Sequence, residues 1–125
     1  MREPAKPTGR QRRVLVVDGH PDNACSLAQL LRRTGHYAEY AIDANSALRI
    51  AGKLKPEIVF LDLLLPHFEG LALSQLLRLL LEPRALRVVA IGHIEEELRR
   101  RAPLAGCEEA LLKPLDFREV ERQLM

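Results

Sequence analysis

The sequence predicts an α/β domain in which five strands alternate with five helices around a doubly wound parallel sheet. Two apolar, β-branched runs at 14–17 and 57–63 are typical of strands that are buried on both faces. Apolar residues recur at helical spacing between the strands, and proline or glycine marks most of the connections. Because parallel strands are joined by right-handed crossovers, we expect helices on both faces of one sheet.

The sequence patterns of the five predicted strands indicate different depths of burial. The first and third are continuous apolar runs, whereas the second alternates in sequence as a less deeply buried strand would. The fourth strand is the apolar run RVVAI, and the fifth is short. The predicted strands are 14–17, 36–42, 57–63, 87–91 and 110–112.

Capping and turn residues place the ends of the predicted helices. Asp22 or Asn23 is expected to cap the first helix, Gly35 to end it, and Asp116 to cap the last helix. Pro103 should shorten or kink the fourth helix, because proline removes an amide donor and clashes with the preceding turn. The predicted helices are 22–34, 43–54, 71–81, 95–101 and 116–125.

Length and composition point to one ordinary globular domain. The chain has 125 residues, of which 47% are hydrophobic and 29% charged, a balance that argues against a disordered or fibrous chain. Its apolar runs are too short for a membrane span and its N-terminus lacks the apolar stretch of a signal peptide, so we expect a cytoplasmic location. Cys25 and Cys107 lack zinc-binding spacing and are expected to be reduced, buried thiols.

The first residues form a basic segment that differs from the rest of the chain. Five basic residues and one acidic residue lie among the first 13, although the whole chain carries a net charge of only +2. Residues 1–12 are interpreted as a flexible, solvated arm, and 13–125 as the folded domain. The alternative is an arm that contacts nucleic acid or acidic lipid. The arm contains no aromatic residues that would support this alternative.

Candidate site residues lie where several of the predicted strands end. Asp18, Asp62, Gly92 and Lys113 all lie at or just beyond the carboxyl end of a strand. In a parallel sheet these ends meet at one edge, which is where such folds bind their ligands. The sequence therefore predicts a functional site that contains two carboxylates and one ammonium group.

Four segments together resemble the receiver domain of two-component response regulators. They are LVVDGHPDN at 15–23, PEIVFLDLLLPHFEG at 56–70, VVAIG at 88–92 and LLKPLD at 111–116. Their sequences are most similar to those of receivers attached to hybrid sensor histidine kinases. The resemblance implies a (βα)₅ flavodoxin-like fold with strand order 2-1-3-4-5.

The resemblance also implies roles for individual residues. Asp62 takes the position of the phosphoacceptor, and Lys113, followed by a cis peptide bond to Pro114, takes that of the lysine that reaches the phosphoryl group. Asp18, Asp62 and the backbone carbonyl of Leu64 would hold Mg²⁺. The alternatives are that Asp62 only caps a neighbouring helix and that Lys113 is a solvent-exposed turn residue.

Three positions depart from the family pattern. Gly19 replaces the second acid, so Mg²⁺ binding is expected to be weak, and substitution of Asp22 for this acid is the less favoured outcome. Gly92 replaces the switch hydroxyl, and Ala110 replaces the aromatic residue that moves with it. The sequence therefore predicts damage both to charge stabilisation and to the conformational readout.

These departures favour a receiver that acts as a phosphorylation-independent docking or dimerisation module. The alternative is a functional phosphoacceptor, phosphorylated on Asp62 by a partner histidine kinase, with no enzymatic activity beyond its own phosphorylation and dephosphorylation. A nucleotide- or flavin-binding enzyme is disfavoured, because no glycine-rich phosphate loop follows the first strand.

The expected partners are a histidine kinase or another signalling protein. A homodimer is also considered, through the leucine-rich helix from Leu71 to Leu81 or through the face formed by the fourth helix, fifth strand and fifth helix. A broad core face with isolated exposed leucines explains the leucine-rich helix equally well. Membrane and nucleic-acid binding are not expected.

Overall fold

The computed structural model describes residues 10–65 and 70–125 and confirms the predicted fold class. All strands are parallel, and their order in the sheet is β2-β1-β3-β4-β5. The strands are β1 (Arg13–Val17), β2 (Tyr37–Ala41), β3 (Ile58–Asp62), β4 (Arg87–Gly92) and β5 (Glu109–Leu112). The helices are α1 (Pro21–Arg33), α2 (Ala44–Leu54), α3 (Gly70–Leu81), α4 (Glu95–Leu104) and α5 (Phe117–Gln123).

The sheet separates two hydrophobic clusters. Alternate residues of the strands point to opposite faces, so that Leu15 and Val17 join one cluster while Val14 and Val16 join the other. Helices α2, α3 and α4 cover the first cluster, and α1 and α5 cover the second. Both faces of the central strands are thereby buried, which explains why their sequences are continuous apolar runs.

Helix α1 begins earlier than its sequence suggests. Neither Asp22 nor Asn23 caps it, so that prediction is wrong: the N-cap residue is His20, which makes no side-chain cap hydrogen bond. Pro21 occupies the first turn, where its fixed φ suits a helix and its missing amide is not needed. Asp22 lies within the first turn, where a carboxylate favours the positive end of the helix dipole.

Other predicted helix ends agree with the structure. Asp116 accepts a hydrogen bond from the Arg118 amide at the start of α5. Asp43 does the same for Ser46 at the start of α2. Gly35 has a φ of 95°, the left-handed conformation expected where α1 ends.

Helix α4 continues through Pro103, so the expected end at residue 101 is wrong. Proline stands in the last turn, one residue before the helix ends at Leu104. At that position proline removes only the hydrogen bond that its own amide would donate to the preceding turn. The helix is nevertheless continuous from Glu95 to Leu104.

Residues at the amino edge of the sheet are tied to both ends of the folded unit. Most of the predicted basic arm, 1–9, lies outside the described residues. The Arg12 amide donates to Nδ1 of His36 at 2.9 Å, and the Arg12 guanidinium donates to the Leu124 carbonyl at 2.7 Å. Glu57 accepts hydrogen bonds from the guanidinium groups of Arg10 and Arg12.

His36 should make the stability of the fold depend on pH. Burial lowers its pKa below 6.5, Glu121 opposes this shift and Arg12 adds to it. The unfolded chain therefore binds a proton more readily than the fold, and stability falls as pH drops through 6.5 towards the lowered pKa. We expect a slope of at most about 1.4 kcal/mol per pH unit from this group.

Urea unfolding between about pH 5 and pH 8 measures this slope, since it reports the free energy of unfolding. The His36→Asn variant keeps an acceptor for the Arg12 amide but cannot titrate. Its stability should change less with pH than that of the wild type. Equal slopes in both proteins would show that His36 does not contribute.

The two cysteines are free and half-buried, and burial raises the pKa of Cys107 to about 11.

Among residues 10–65 and 70–125, none of the helices has the length and apolar character needed to span a membrane.

Candidate functional site

Three predicted site residues meet at the carboxyl edge of the sheet. Asp18 follows β1, Asp62 is the last residue of β3, and Lys113 follows β5. Both aspartates are buried, with exposed fractions of 2% and 6%. The Lys113 Nζ atom lies 2.7 Å from Asp18 Oδ2 and 3.0 Å from Asp62 Oδ2. A single ammonium group therefore bridges two buried carboxylates.

The second oxygen of each carboxylate binds the backbone of the following turn. Asp18 Oδ1 accepts from the His20 amide at 2.9 Å, and Asp62 Oδ1 accepts from the Leu64 amide at 2.9 Å. Turns of this kind, in which a side chain bonds the backbone two residues on, are common for aspartate. The arrangement gives all four carboxylate oxygens a hydrogen-bond partner and fixes both side chains.

Lys113 is held by its backbone as well as by its side chain. Its amide donates to the Gly92 carbonyl at 2.7 Å, and its peptide bond to Pro114 is cis. Burial alone would lower its pKa, but the hydrogen bonds and charges of Asp18 and Asp62 outweigh this effect and raise the pKa above 10.5. The side chain is therefore an ammonium ion at any physiological pH.

The site offers two carboxylates to a divalent cation. Asp18, Asp62 and Lys113 sum to one negative charge, and Gly19 adds no ligand. In the part of the chain that the structure describes, no three or more histidine, cysteine or acidic residues are grouped so that they could hold a metal ion. Asp18 and Asp62 are therefore the two carboxylates that could hold Mg²⁺, which commonly binds through one or two carboxylates and several waters.

The two positions expected to carry a switch are small residues in the structure. Gly92 ends β4, and a Cβ atom built there would lie 3.3 Å from Cδ1 of Leu98 in α4. Ala110 lies in β5 beside Ala90, partly buried against the core. A larger side chain at position 92 would therefore need Leu98 to move.

A cavity of about 520 Å³ opens beside these residues, and no sequence pattern predicts it. Helix α1 forms one wall, the segment from Lys113 to Phe117 forms the other, and Val16 and Ile91 form the floor. The wall residues of α1 and the segment come from distant parts of the chain, so only the packing of α1 against the sheet reveals the cavity. His20 and His93, for which the sequence predicts no role in a site, also line it.

Asp18, Asp62 and Lys113 form an acid–lysine cluster. This cluster and the fold define a doubly wound parallel α/β module of the kind found in solved receiver structures. The structure of a CheY-like response regulator receiver domain from Methylobacillus flagellatus is similar, with a TM-score of 0.80 and 29% identity, covering 92% of this chain and 97% of that one. The receiver domain of the sensor histidine kinase PA1611 from Pseudomonas aeruginosa PAO1, solved with a magnesium ion in its active site cleft, has a TM-score of 0.78. It is 23% identical, covers 92% of this chain and 95% of that chain, and supports the fold alone.

The family model for the response regulator receiver domain matches residues 14–124, and the chain belongs to this family. It is 31% identical to the chemotaxis protein CheY of Treponema pallidum, over 92% of this chain and 81% of that protein. It is also 31% identical to the sensor histidine kinase RcsC of Escherichia coli, over 89% of this chain but only 12% of the kinase. The chain is therefore a receiver domain of two-component signalling, as its sequence predicted.

Proposed function

We propose that this receiver acts as a phosphorylation-independent docking or dimerisation module. The observation that carries the proposal is glycine at positions 19 and 92, in a site where the Lys113 ammonium group already binds both Asp18 and Asp62. The ammonium group already balances one of the two buried carboxylates. Gly19 supplies no third carboxylate to recruit a divalent cation.

Phosphorylation of Asp62 would add charge that this site is poorly equipped to balance. A phosphoryl group carries close to two negative charges near neutral pH. Mg²⁺ normally neutralises such charge during phosphoryl transfer, and among the described residues Asp18, Asp62 and the Leu64 carbonyl are the proposed ligands. We therefore expect weak Mg²⁺ binding and little accumulation of an acyl phosphate.

The site also has little means of reporting phosphorylation to the rest of the domain. A conformational change requires a ligand to interact differently with two states. Gly92 has no hydroxyl with which to bind a phosphoryl oxygen, and Ala110 has no ring to change rotamer. Loss of both groups removes the difference in interaction that would favour a second state.

Docking surfaces are available on the outside of the domain. Helix α3 exposes several leucines, and the α4, β5 and α5 face offers a second surface. A histidine kinase or another signalling protein is the proposed partner, and a second copy of the chain is the alternative. The exposed leucines of α3 are Leu71, Leu76, Leu79 and Leu80.

The alternative function, that of a working phosphoacceptor, is favoured by the 3.0 Å distance between Lys113 Nζ and Asp62 Oδ2. In that reaction an Asp62 oxygen attacks the phosphorus atom of a phosphohistidine or a small acyl phosphate. A new P–O bond forms as the bond to the donor breaks, and the donor leaves with the electron pair. Lys113 would then stabilise charge on the transferred group.

Incubation with acetyl phosphate and MgCl₂, followed by intact mass measurement, separates the two functions. We expect no stoichiometric gain of a phosphoryl group, because neither magnesium nor the added charge is well accommodated. The Gly19→Asp variant should bind magnesium more tightly and gain a larger phosphorylated fraction. Asp62→Asn provides the blank.

Stoichiometric phosphorylation of the wild type, with little further gain in Gly19→Asp, would overturn the docking proposal in favour of the phosphoacceptor. A beryllofluoride titration followed by amide NMR gives an independent test. The Gly92 amide signal should stay in place. A saturable, magnesium-dependent shift at Gly92 would again contradict the proposal.

A further inference from the structure

The cavity between α1 and the segment leading into α5 has the size and lining of a small-molecule site. Its volume of about 520 Å³ falls within the range of roughly 300–1,000 Å³ that is typical of ligand pockets. Its apolar residues come from the sheet, from α1 and from the segment before α5. They include Val16, Leu27, Leu30, Ile91, Leu115 and Phe117.

Polar groups are gathered at the end of the cavity nearest the acid–lysine cluster. Asp18 and Lys113 belong to both the cluster and the cavity lining, while Asn23 and Ser26 of α1 add an amide and a hydroxyl. An apolar body with polar groups at one end suits a molecule that enters in one orientation.

The hydrogen bonds of the cluster indicate what the polar end of a ligand would carry. All four oxygens of Asp18 and Asp62 already accept a hydrogen bond. The Lys113 ammonium group has three N–H donors, and within residues 10–65 and 70–125 it makes two hydrogen bonds. The third N–H donor of Lys113 can therefore bind an acceptor on the ligand, although the carboxylate oxygens also retain lone pairs.

Charge limits the choice of that acceptor. The two carboxylates and one ammonium group leave a net negative charge beside the cavity, so an anionic group would be repelled. A carbonyl or ether oxygen accepts the same hydrogen bond without that penalty. We propose that this cavity binds a small, uncharged organic molecule that has an apolar body and a hydrogen-bond-accepting oxygen at one end.

Such a ligand would touch Lys113 directly and would bring a second input to the same edge of the sheet. The site does not depend on whether Asp62 accepts a phosphoryl group, so the proposal stands apart from the proposed docking function. Occupancy would be felt by both aspartates through the shared ammonium group.

Coumarin, a neutral two-ring lactone with one carbonyl acceptor, is a suitable probe. Titration of the full chain, followed by amide NMR, should give saturable shifts at Ser26, Leu30, Ile91 and Leu115. For a probe of this size we expect a dissociation constant on the order of millimolar. Coumarin-3-carboxylate adds an anionic group and should bind more weakly than coumarin. 1,2-Dihydronaphthalene lacks the acceptor and should bind about tenfold more weakly than coumarin.

Paired tryptophan variants of α1 test the location. Ser26 is exposed and lines the cavity, so Ser26→Trp should fill it and abolish the shifts. Gln29 is exposed on the same helix but does not line the cavity, so Gln29→Trp should leave binding unchanged. Asn23→Trp repeats the block from another lining position if Ser26→Trp disturbs the fold.

Several results would overturn the proposal. These are shifts that never saturate, shifts centred on the exposed leucines of α3, and equal binding by the wild type and a folded blocking variant. Tighter binding of the carboxylate than of coumarin would reject the uncharged ligand class.

Discussion

Replacing Lys113 by methionine is expected to lower the free energy of unfolding by about 3–5 kcal/mol, because it leaves two buried carboxylates without their shared counter-ion. The exposed fractions of the side chains are 13% for Lys113 and 2% and 8% for Asp18 and Asp62, so solvent screens these charges little. Methionine retains most of the length of the lysine stem. The loss therefore comes chiefly from the ammonium group.

Urea unfolding near pH 7 measures this effect, and Lys53→Met is the matched control. Lys53 is exposed on α2, so its replacement should change stability by no more than about 0.5 kcal/mol. Similar urea midpoints for Lys113→Met and Lys53→Met would contradict a stabilising role for the ammonium bridge.

The raised pKa of Lys113 fixes the pH range in which the ammonium bridge contributes. A group whose pKa is higher in the folded state contributes fully below its unfolded value, here 10.5. The contribution is lost only as pH rises through the raised pKa. The difference between wild type and Lys113→Met should therefore persist at neutral pH and shrink in strong alkali.

The second large effect is expected at Gly70, the first residue of α3. A Cβ atom there would lie 2.7 Å from Leu63 Cδ2 and 2.8 Å from Leu63 Cα, and the second of these atoms belongs to the backbone. Gly70→Ala should therefore destabilise the fold by about 1–3 kcal/mol through overpacking, despite the better helix propensity of alanine.

Gly52, inside α2, provides the opposite case on the same scaffold. A Cβ atom at Gly52 meets nothing within 4 Å, so Gly52→Ala should stabilise the protein by about 1 kcal/mol. Thermal or urea unfolding of the two variants should thus give changes of opposite sign. Stabilisation by both substitutions would show that the contact at Leu63 relaxes without cost.

Gly70→Ala should also disturb the functional site. Leu63 lies between Asp62 and Leu64, whose amide donates to Asp62 Oδ1. Movement of Leu63 away from a new methyl group would alter this hydrogen bond. The Leu64 amide signal is therefore expected to shift in Gly70→Ala and to remain unchanged in Gly52→Ala.

The fold could be predicted because its signals are local and repeated. Continuous apolar runs identify strands buried on both faces, and helical spacing identifies the elements between them. The misplaced ends have local causes as well. At α1, Pro21 begins the helix in place of a side-chain cap, and in α4 the effect of Pro103 is confined to the last turn.

The candidate site could be predicted only in outline. Strand ends indicate that Asp18, Asp62 and Lys113 share one edge of the sheet, but not that one ammonium group reaches both carboxylates. That detail depends on side-chain rotamers and on the two turns that orient the aspartates. The cavity and the contact of Gly70 with Leu63 depend on how distant helices pack, which a sequence pattern does not encode.

The hydrogen bond between the Arg12 guanidinium and the Leu124 carbonyl brings the beginning and end of the folded unit together. Both lie at the amino edge of the sheet, opposite the ammonium bridge and the cavity. A tag or a neighbouring domain attached at either side would therefore extend from the amino edge of the sheet. The opposite edge, with the ammonium bridge and the cavity, would stay accessible. Joining the two ends by a short linker and opening the chain elsewhere should likewise be tolerated, since nearby termini favour circular permutation.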